Sequence, residues 1–216
     1  MASTRFDGER EEMIELLKTR GITDELLIAA MRKVDRHAFV TEVFFNKAYD
    51  DSALPIACQQ TISQPYTVAC MTQELHVKAG SKILEIGTGS GYQAAVLAEM
   101  GARVFTIERH MDLHTGARKK FESMGYSIVS KGGDGTIGWK DFAPYDGIIV
   151  TAGAPAAPEP LLQQLKDGGI MVVPVGNLDT QDLHVIRRAG ETFPTRLITG
   201  FKFVPLIGKV GWSKES

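Results

Sequence analysis

The chain has 216 residues, 44% of them hydrophobic, which is enough to bury a substantial core and predicts one globular domain. Its formal net charge is only −2, with Lys and Arg scattered along the chain, so nucleic acid is a poor candidate partner. No apolar stretch approaches membrane-spanning length, and residues 1–7 lack the apolar core of a signal peptide. Cys58 and Cys70 are too few for a disulfide framework, so we expect free thiols and a cytoplasmic location. We expect no membrane partner.

Two amphipathic helices are predicted at the start of the chain. The first spans residues from about 8 to 20, with Met13, Leu16 and Leu17 on one face and Gly21 as its stop. Thr23 can cap the second helix. The apolar residues of this second helix recur at helical spacing: Leu26, Leu27, Ala30, Met31 and Val34. Both helices precede the more regular remainder of the chain, so we expect them to form an added layer.

Residues 40–64 show no clean period and contain Pro55, so they predict a long ordered loop, which is often functional in compact proteins. A helix should follow, because Pro65 suits a first helical turn and apolar residues then recur at helical spacing up to Leu75. Ser63 lies just before that helix. Its hydroxyl can cap the helix or face a functional site, and both roles are compatible only if another group supplies the cap.

Residues 82–92 carry the strongest local pattern in the chain. A short apolar run predicts a buried strand, three glycines follow at once, and residues 93–98 predict a helix. Gly87, Gly89 and Gly91 let the backbone turn tightly and leave room for a ligand against the main chain. The helix start offers free N–H groups beside that space. The segment therefore predicts a strand–loop–helix cofactor site.

The kind of cofactor follows from the glycine spacing and two acidic residues. The spacing is Gly-x-Gly-x-Gly, whereas Gly-x-Gly-x-x-Gly holds a dinucleotide pyrophosphate, so an NAD-dependent oxidoreductase fits less well. Glu85, inside the strand, suits a positively charged ligand. Glu108 ends the next apolar run, where a carboxylate can accept both hydroxyls of a ribose. These features favour S-adenosylmethionine over the alternative of an ordinary tight turn with a surface carboxylate.

The rest of the chain alternates helices and strands. We predict helices over about 110–124 and 160–166, and strands over 127–130, 145–151 and 169–175. Two later strands, residues 183–187 and 197–203, have no helix between them and should pair antiparallel at one sheet edge. The pattern predicts a mostly parallel α/β sheet with helices on both faces.

Candidate ligand-binding residues fall at the predicted carboxyl ends of the strands, where such sheets bind ligands. The glycine loop, Glu108, Asp134 and Thr151 all lie there. Asp134, between glycines, can accept a hydrogen bond from an adenine amino group or can form a plain Asx turn. The convergence of these positions supports one cofactor site more strongly than any single motif.

Several stretches together resemble the protein-L-isoaspartate (D-aspartate) O-methyltransferase family, close to its bacterial members, over residues from about 13 to 208. The segment Thr-Ile-Ser-Gln-Pro-Tyr at 61–66 is the most specific, whereas many methyltransferases share the glycine loop. The other matching stretches are residues 54–56, 83–92, 107–109, 133–135, 145–155, 165–174 and 204–206. The resemblance implies a Rossmann-like class I S-adenosylmethionine-dependent methyltransferase, with a mostly parallel sheet, an antiparallel C-terminal edge and extra N-terminal helices.

The resemblance also implies a single methyltransferase domain over residues 1–216. Residues 1–78 would supply the N-terminal helices and a substrate-covering loop, and residues 79–216 would form the cofactor-binding α/β core. The chain departs from the family pattern in the covering loop, where Ala57 and Gln59 stand at positions that usually hold glycine.

Site residues carry over from the resemblance by position. Ser63 would lie at the catalytic centre near the transferred methyl. S-adenosylmethionine would contact Glu85, Gly87, Thr88, Gly89, Ser90, Gly91, Glu108, Arg109, Asp134, Gly135 and Thr151. The substrate would contact Thr61, Ile62, Gln64, Pro65, Tyr66, Val204, Pro205 and Leu206. No metal is expected, because His110 and His114, four apart on one predicted helix, have no evident third ligand.

The implied reaction is methyl transfer from S-adenosylmethionine to the α-carboxylate of L-isoaspartyl residues in damaged proteins and peptides, by a monomer; activity on D-aspartyl residues stays open. An α-carboxyl group titrates near ~3.5 and so needs no general base at neutral pH.

A methyltransferase for small molecules would not need residues 61–66. A hydrolase with Ser63 as nucleophile lacks the Gly-x-Ser-x-Gly elbow. A binding module without turnover is the remaining alternative.

Overall fold

A seven-stranded sheet lies at the centre of the computed structural model, which describes residues 5–213. Its strands are β3 (Lys82–Ile86), β4 (Arg103–Glu108), β5 (Val129–Gly132), β6 (Tyr145–Val150), β7 (Leu165–Gly176), β8 (Gln181–Arg187) and β9 (Thr195–Phe201). A separate hairpin consists of β1 (Leu54–Pro55) and β2 (Thr61–Ile62). The helices are α1 (Arg5–Thr19), α2 (Glu25–Lys33), α3 (Pro65–Glu74), α4 (Tyr92–Glu99), α5 (Met111–Met124) and α6 (Glu159–Leu162).

The strand order is β5-β4-β3-β6-β7-β8-β9. β3 pairs in parallel with both β4 and β6, so the chain first builds outward through β4 and β5 and then returns to the other side of β3. The reversal between β3 and β6 opens a crevice at the carboxyl ends of the strands, which is where open α/β sheets bind ligands. The predicted Rossmann-like class is confirmed.

The last two strands form the antiparallel edge that the sequence predicts. β8 pairs antiparallel with β7 from Ile170↔Arg187 to Gly176↔Gln181, and β9 pairs antiparallel with β8. β9 ends at Phe201, two residues before the predicted end.

Both faces of the sheet are buried, because successive strand residues point to opposite sides. Ile83 packs into a cluster with the apolar faces of α1 to α4, whereas Leu84 packs into a second cluster with Tyr145 and Leu161 on the other side. The N-terminal helices therefore cover one face of the cofactor core, as an added layer. None of the helices in residues 5–213 is long and apolar enough to cross a membrane.

Two local predictions are wrong. The helix expected over 160–166 ends at Leu162, because Leu165 already pairs with Tyr145 as part of β7 and is fully buried there. Sheet pairing thus overrides helix propensity in this segment. The cap of α2 is Asp24, not Thr23: the Asp24 carboxylate accepts hydrogen bonds from two backbone N–H groups of the first turn, at 3.0 and 3.1 Å.

Segment 40–64 is ordered, as predicted, but it contains short regular elements. A 3-10 helix covers Glu42–Lys47, and another, Ala57–Gln59, joins the two strands of the hairpin. The hairpin brings residues 61–63 next to the carboxyl end of the sheet.

The cap of α3 comes from a distant carboxylate. Asp51 accepts a hydrogen bond from the Tyr66 N–H at 2.8 Å, while its other oxygen pairs with Arg20. The Arg20 guanidinium lies over the Tyr66 ring, 3.5 Å from the centroid. The position before the helix is Gln64, which makes no side-chain cap bond. The alternative in which Ser63 caps α3 is therefore wrong, and its hydroxyl is not needed for the helix.

We expect Asp51→Ala to lower the free energy of unfolding by about 1–2 kcal/mol, the usual effect of losing a helix cap. Asp51→Asn should lose less, because an amide oxygen still accepts from the Tyr66 N–H. Urea denaturation at pH 7 measures both. Asp50→Ala is the matched control, since Asp50 is an exposed neighbour; equal losses for Asp50→Ala and Asp51→Ala would contradict the assigned cap.

Candidate active site

A cavity of about 880 Å³, counted with its mouth, opens at the carboxyl ends of β3, β4 and β6. A volume of ~300–1,000 Å³ is typical of a site for a small ligand or cofactor. Most of the predicted site residues line it: Thr61, Ile62, Ser63, Gly87, Thr88, Gly89, Ser90, Glu108, Arg109, Gly135, Thr151, Val204, Pro205 and Leu206.

The glycine loop keeps its shape because it is packed on both sides. Gly87, Gly89 and Gly91 all have positive φ, at 96°, 54° and 94°. A Cβ on Gly91 would lie 2.7 Å from a Phe121 ring carbon, and one on Gly87 would clash with the Thr151 hydroxyl. That hydroxyl donates a hydrogen bond to the Gly87 carbonyl at 2.7 Å. Gly91 therefore shapes the loop without lining the cavity.

Glu108 joins the glycine loop to the end of β4. Its 4% exposed carboxylate accepts hydrogen bonds from the Gly89 N–H and the His110 N–H, both at 2.9 Å. Each oxygen uses one of its two lone-pair sites in these bonds. Glu108 lines the cavity, so the two hydroxyls of a ribose bound there can donate to the remaining sites.

Glu85 does not lie in the cavity, so direct contact with a positively charged ligand is a wrong prediction. The side chain is fully buried behind the loop, where Oε2 accepts from the Thr106 hydroxyl at 2.5 Å. Thr106 in turn bonds the Thr88 hydroxyl at 2.6 Å. Burial, with the nearby Glu108 carboxylate, raises the pKa of Glu85 to about 8, so the group is mainly neutral at neutral pH. Glu85 supports the loop from below.

Asp134 forms the turn that the sequence analysis left open. One oxygen accepts from the Thr136 N–H at 2.9 Å, and the other accepts from the Lys209 N–H at 2.9 Å. Although burial opposes ionisation, the hydrogen bonds from Lys209 and Thr136 hold the pKa of Asp134 below its usual range. The carboxylate does not line the cavity, so the adenine role is not supported; Gly135 beside it does line the cavity.

The predicted acceptor side of the cavity is made by two segments from opposite ends of the chain. Residues 61–63 of the hairpin form one part. Residues 204–206 form the other, held by backbone bonds between Val204 O and Gly153 N and between Gly153 O and Leu206 N, at 2.8 and 2.7 Å. Three predicted substrate contacts, Gln64, Pro65 and Tyr66, belong to the start of α3 and do not line the cavity.

Sequence reasoning missed several lining residues, among them Gln60, Tyr92, Gln93 and His110. Gln93 is 7% exposed and donates to the Thr72 hydroxyl at 2.9 Å, which connects α4 to α3. A polar residue in the otherwise apolar first turn of α4 was an available signal for it.

The covering loop keeps a backbone that usually requires glycine. Cys58 and Gln59 have φ of 58° and 56°, in the left-handed region. This conformation costs a non-glycine residue about 1–2 kcal/mol. Gln59, one of the two departures from the family pattern, therefore adopts the backbone that glycine would adopt.

Residues 5–213 contain no group of three His, Cys, Asp or Glu side chains that could hold a metal ion. His114 lies near the Ser130 hydroxyl at 3.2 Å, and Cys58 and Cys70 are free thiols.

These features define a class I S-adenosylmethionine-dependent methyltransferase: the strand order, the glycine loop, the carboxylate at the end of β4 and the cavity between them. Within that class, the family model for protein-L-isoaspartate (D-aspartate) O-methyltransferase matches residues 8–211. The chain belongs to that family.

Individual relatives agree with this assignment. A protein-L-isoaspartate O-methyltransferase of Pelodictyon phaeoclathratiforme is 51% identical over 208 residues, covering 96% of this chain and 94% of the relative. A solved protein-L-isoaspartate O-methyltransferase structure superposes with a TM-score of 0.85 at 28% identity, covering 94% of this chain and 67% of the other. A Plasmodium falciparum structure of the same family, in complex with S-adenosyl-L-homocysteine, gives a TM-score of 0.80 at 25% identity, with 92% and 98% coverage.

The raised pKa of Glu85 predicts a pH dependence of stability. The folded state holds a proton up to about pH 8, whereas the unfolded chain releases it near 4.5. The stabilisation that Glu85 contributes to the free energy of unfolding is therefore fully present below pH 4.5 and is lost as pH rises through about 8. We expect Glu85→Gln to remove this fall in the free energy of unfolding between those values. Urea denaturation across the pH range measures it, with the exposed Glu122→Gln as control; identical profiles for wild type and Glu85→Gln would contradict the assignment.

Proposed function

We infer that this chain transfers a methyl group from S-adenosylmethionine to the α-carboxylate of isoaspartyl residues in damaged proteins and peptides. Family membership over residues 8–211 supports the reaction. The observation that carries the site assignment is a single cavity that joins the glycine loop to Ser63 and its neighbours. The donor and the acceptor can meet only in such a shared cavity.

The chain offers a fitting cradle for the methyl donor. The glycine loop leaves its backbone open on the cavity side, and Glu108 has free acceptor sites for a ribose. Gly135 and Ile86 both line the cavity and lie close together, since a Cβ on Gly135 would be 2.5 Å from an Ile86 methyl carbon. When bound, S-adenosylmethionine supplies an electrophilic methyl group on a positively charged sulfur.

The acceptor carboxylate is already ionised at neutral pH, so the chain need not supply a general base. A carboxylate oxygen forms the new bond to the methyl carbon while the bond from carbon to sulfur breaks, and its electron pair stays on sulfur. Charge is neutralised in this step, so a cavity that excludes water favours the transition state over the separated ions. Ile62, Met71 and Leu206 supply apolar wall at this place.

Alignment of the two reactants is then the main task of the protein. We propose that the Ser63 hydroxyl, which α3 does not use as a cap, donates a hydrogen bond to the acceptor carboxylate and holds it in line. Thr61, Ile62 and residues 204–206 would contact the flanking peptide.

The product explains a repair role. An ester carbonyl loses methoxide far more readily than a carboxylate loses oxide. The following backbone nitrogen can therefore attack this carbonyl, and methoxide leaves with the proton of that nitrogen as methanol, which closes a succinimide. Hydrolysis of the succinimide then regenerates some normal aspartate. We further propose that a monomer acts in the cytoplasm, since one chain lines the whole described cavity and Cys58 and Cys70 are free thiols.

Methyl transfer from labelled S-adenosylmethionine should reach a peptide containing isoaspartate and spare the same peptide with normal aspartate. We expect base-labile label on the isoaspartyl peptide alone, because an ester on the α-carboxylate hydrolyses in base. A D-aspartyl peptide as a third acceptor tests the second substrate in the family name. Binding of S-adenosylhomocysteine without label on any peptide would refute the proposed acceptor and leave the cofactor site intact.

Ser63→Ala should lower kcat on the isoaspartyl peptide by about 10–100-fold, the usual effect of losing one hydrogen bond to a charged group. The dissociation constant of S-adenosylhomocysteine should change little. The free energy of unfolding should stay within about 0.5 kcal/mol of wild type, because Asp51 caps the helix. Steady-state kinetics and calorimetry measure the first two. Normal turnover by this variant would remove Ser63 from the mechanism.

A further inference from the structure

Arg36 is a buried cation without an ion-pair partner among residues 5–213. Its side chain is 0% exposed. Nε donates to the Ala48 carbonyl at 2.7 Å, and Nη2 donates to the Ser63 carbonyl at 2.9 Å. Burying a charge is expensive unless it is paired or hydrogen-bonded. A neutral side chain at this position would avoid this penalty. Stability alone therefore does not account for a guanidinium here, which points to a role in function.

The guanidinium lies where the two halves of the site meet. Its central carbon is 4.8 Å from the centroid of the Tyr92 ring. Tyr92 begins α4, directly after the glycine loop, and lines the cavity. Ser63 lies on the acceptor side of the same cavity. Arg36 therefore contacts one residue of the cofactor side and one of the acceptor side.

The Ser63 carbonyl needs such a partner. It lies between the two-residue strand β2 and α3, and the first backbone bond of the helix uses the Gln64 carbonyl instead. Without Arg36 the peptide unit that follows Ser63 would lose this tether. The backbone at Ser63 could then shift, and the side chain would move with it because it is attached to the displaced Cα.

The contact is directional. The planar guanidinium donates from two different nitrogens at once, to carbonyls on two segments of the chain. A lysine ammonium at the same place is a single point and cannot reproduce this fork. Nη1 and the Tyr92 hydroxyl make no further hydrogen bond in the described part of the chain.

We propose that Arg36 is a positioning residue for methyl transfer, fixing the Ser63 peptide so that its hydroxyl faces the acceptor carboxylate. The proposal rests on the role given to Ser63 under the proposed function. It requires that Arg36 acts through Ser63, which separates it from a purely structural role in the N-terminal layer.

A double-mutant cycle tests this requirement. Arg36→Lys, Ser63→Ala and the double variant are assayed for kcat and KM on the isoaspartyl peptide, well below the melting temperature of each. Arg36→Lys should lower kcat at least tenfold and leave the dissociation constant of S-adenosylhomocysteine within about threefold of wild type, as expected for misalignment. The double variant should be no slower than Ser63→Ala, because the hydroxyl that Arg36 positions is already absent.

Two further variants keep the test decisive. Arg36→Gln removes the buried charge and retains an amide donor, so it gives the same comparison if the lysine variant does not fold. Arg188→Lys is the matched control: Arg188 also bonds a backbone carbonyl, that of Leu165 at 2.7 Å, but it lies at the amino end of β7 away from the cavity. It should lose stability without loss of kcat.

The outcomes are distinguishable. Unchanged kcat in the folded Arg36 variants overturns the inference. If Ser63→Ala is slow and the two losses multiply in the double variant, Arg36 does not act through Ser63, and only the present inference fails. If Ser63→Ala turns over normally, the proposed role of Ser63 fails first and this inference falls with it.

Discussion

The site depends on one constraint: the glycine loop is held from both sides at the point where the order of the strands reverses. The Thr151 hydroxyl at the end of β6 donates to the Gly87 carbonyl, and the Glu108 carboxylate at the end of β4 accepts from the Gly89 N–H. Both anchors come from strands that pair in parallel with β3. The strand order thus fixes the backbone of the glycine loop where it lines the cavity.

Polar groups that stability alone would not favour collect around this loop. Among the described residues, the buried unpartnered atoms include Glu85 Oε1, Arg36 Nη1, the Tyr92 hydroxyl and His110 Nε2. Each belongs to a residue that lines the cavity or supports one that does. Burial disfavours such atoms, and a fifth one, Arg10 Nε, lies in the N-terminal layer away from the cavity. The protein tolerates unfavourable burial where geometry of the site requires it.

Short-range patterns in the sequence predicted the parts of the site that are built locally. The strand, three glycines and helix of residues 82–98 lie within one βα unit, and Glu108 ends the next strand. Contacts between distant segments escaped prediction. Asp51 caps a helix that starts 14 residues later, and Asp134 uses its second oxygen for Lys209, at the far end of the chain. Glu85 was misjudged because alternation along a strand does not tell which buried face meets the ligand.

The two halves of the cavity therefore differ in how they form. The glycine-loop half comes from consecutive units of the sheet. The acceptor half needs residues 61–63 and 204–206, which meet only when both ends of the chain fold over the strand ends. Under the proposed function, selectivity for the acceptor would be carried by these segments, which are far apart in sequence. Arg36, on the N-terminal layer, ties that assembled half to the glycine loop through Ser63 and Tyr92.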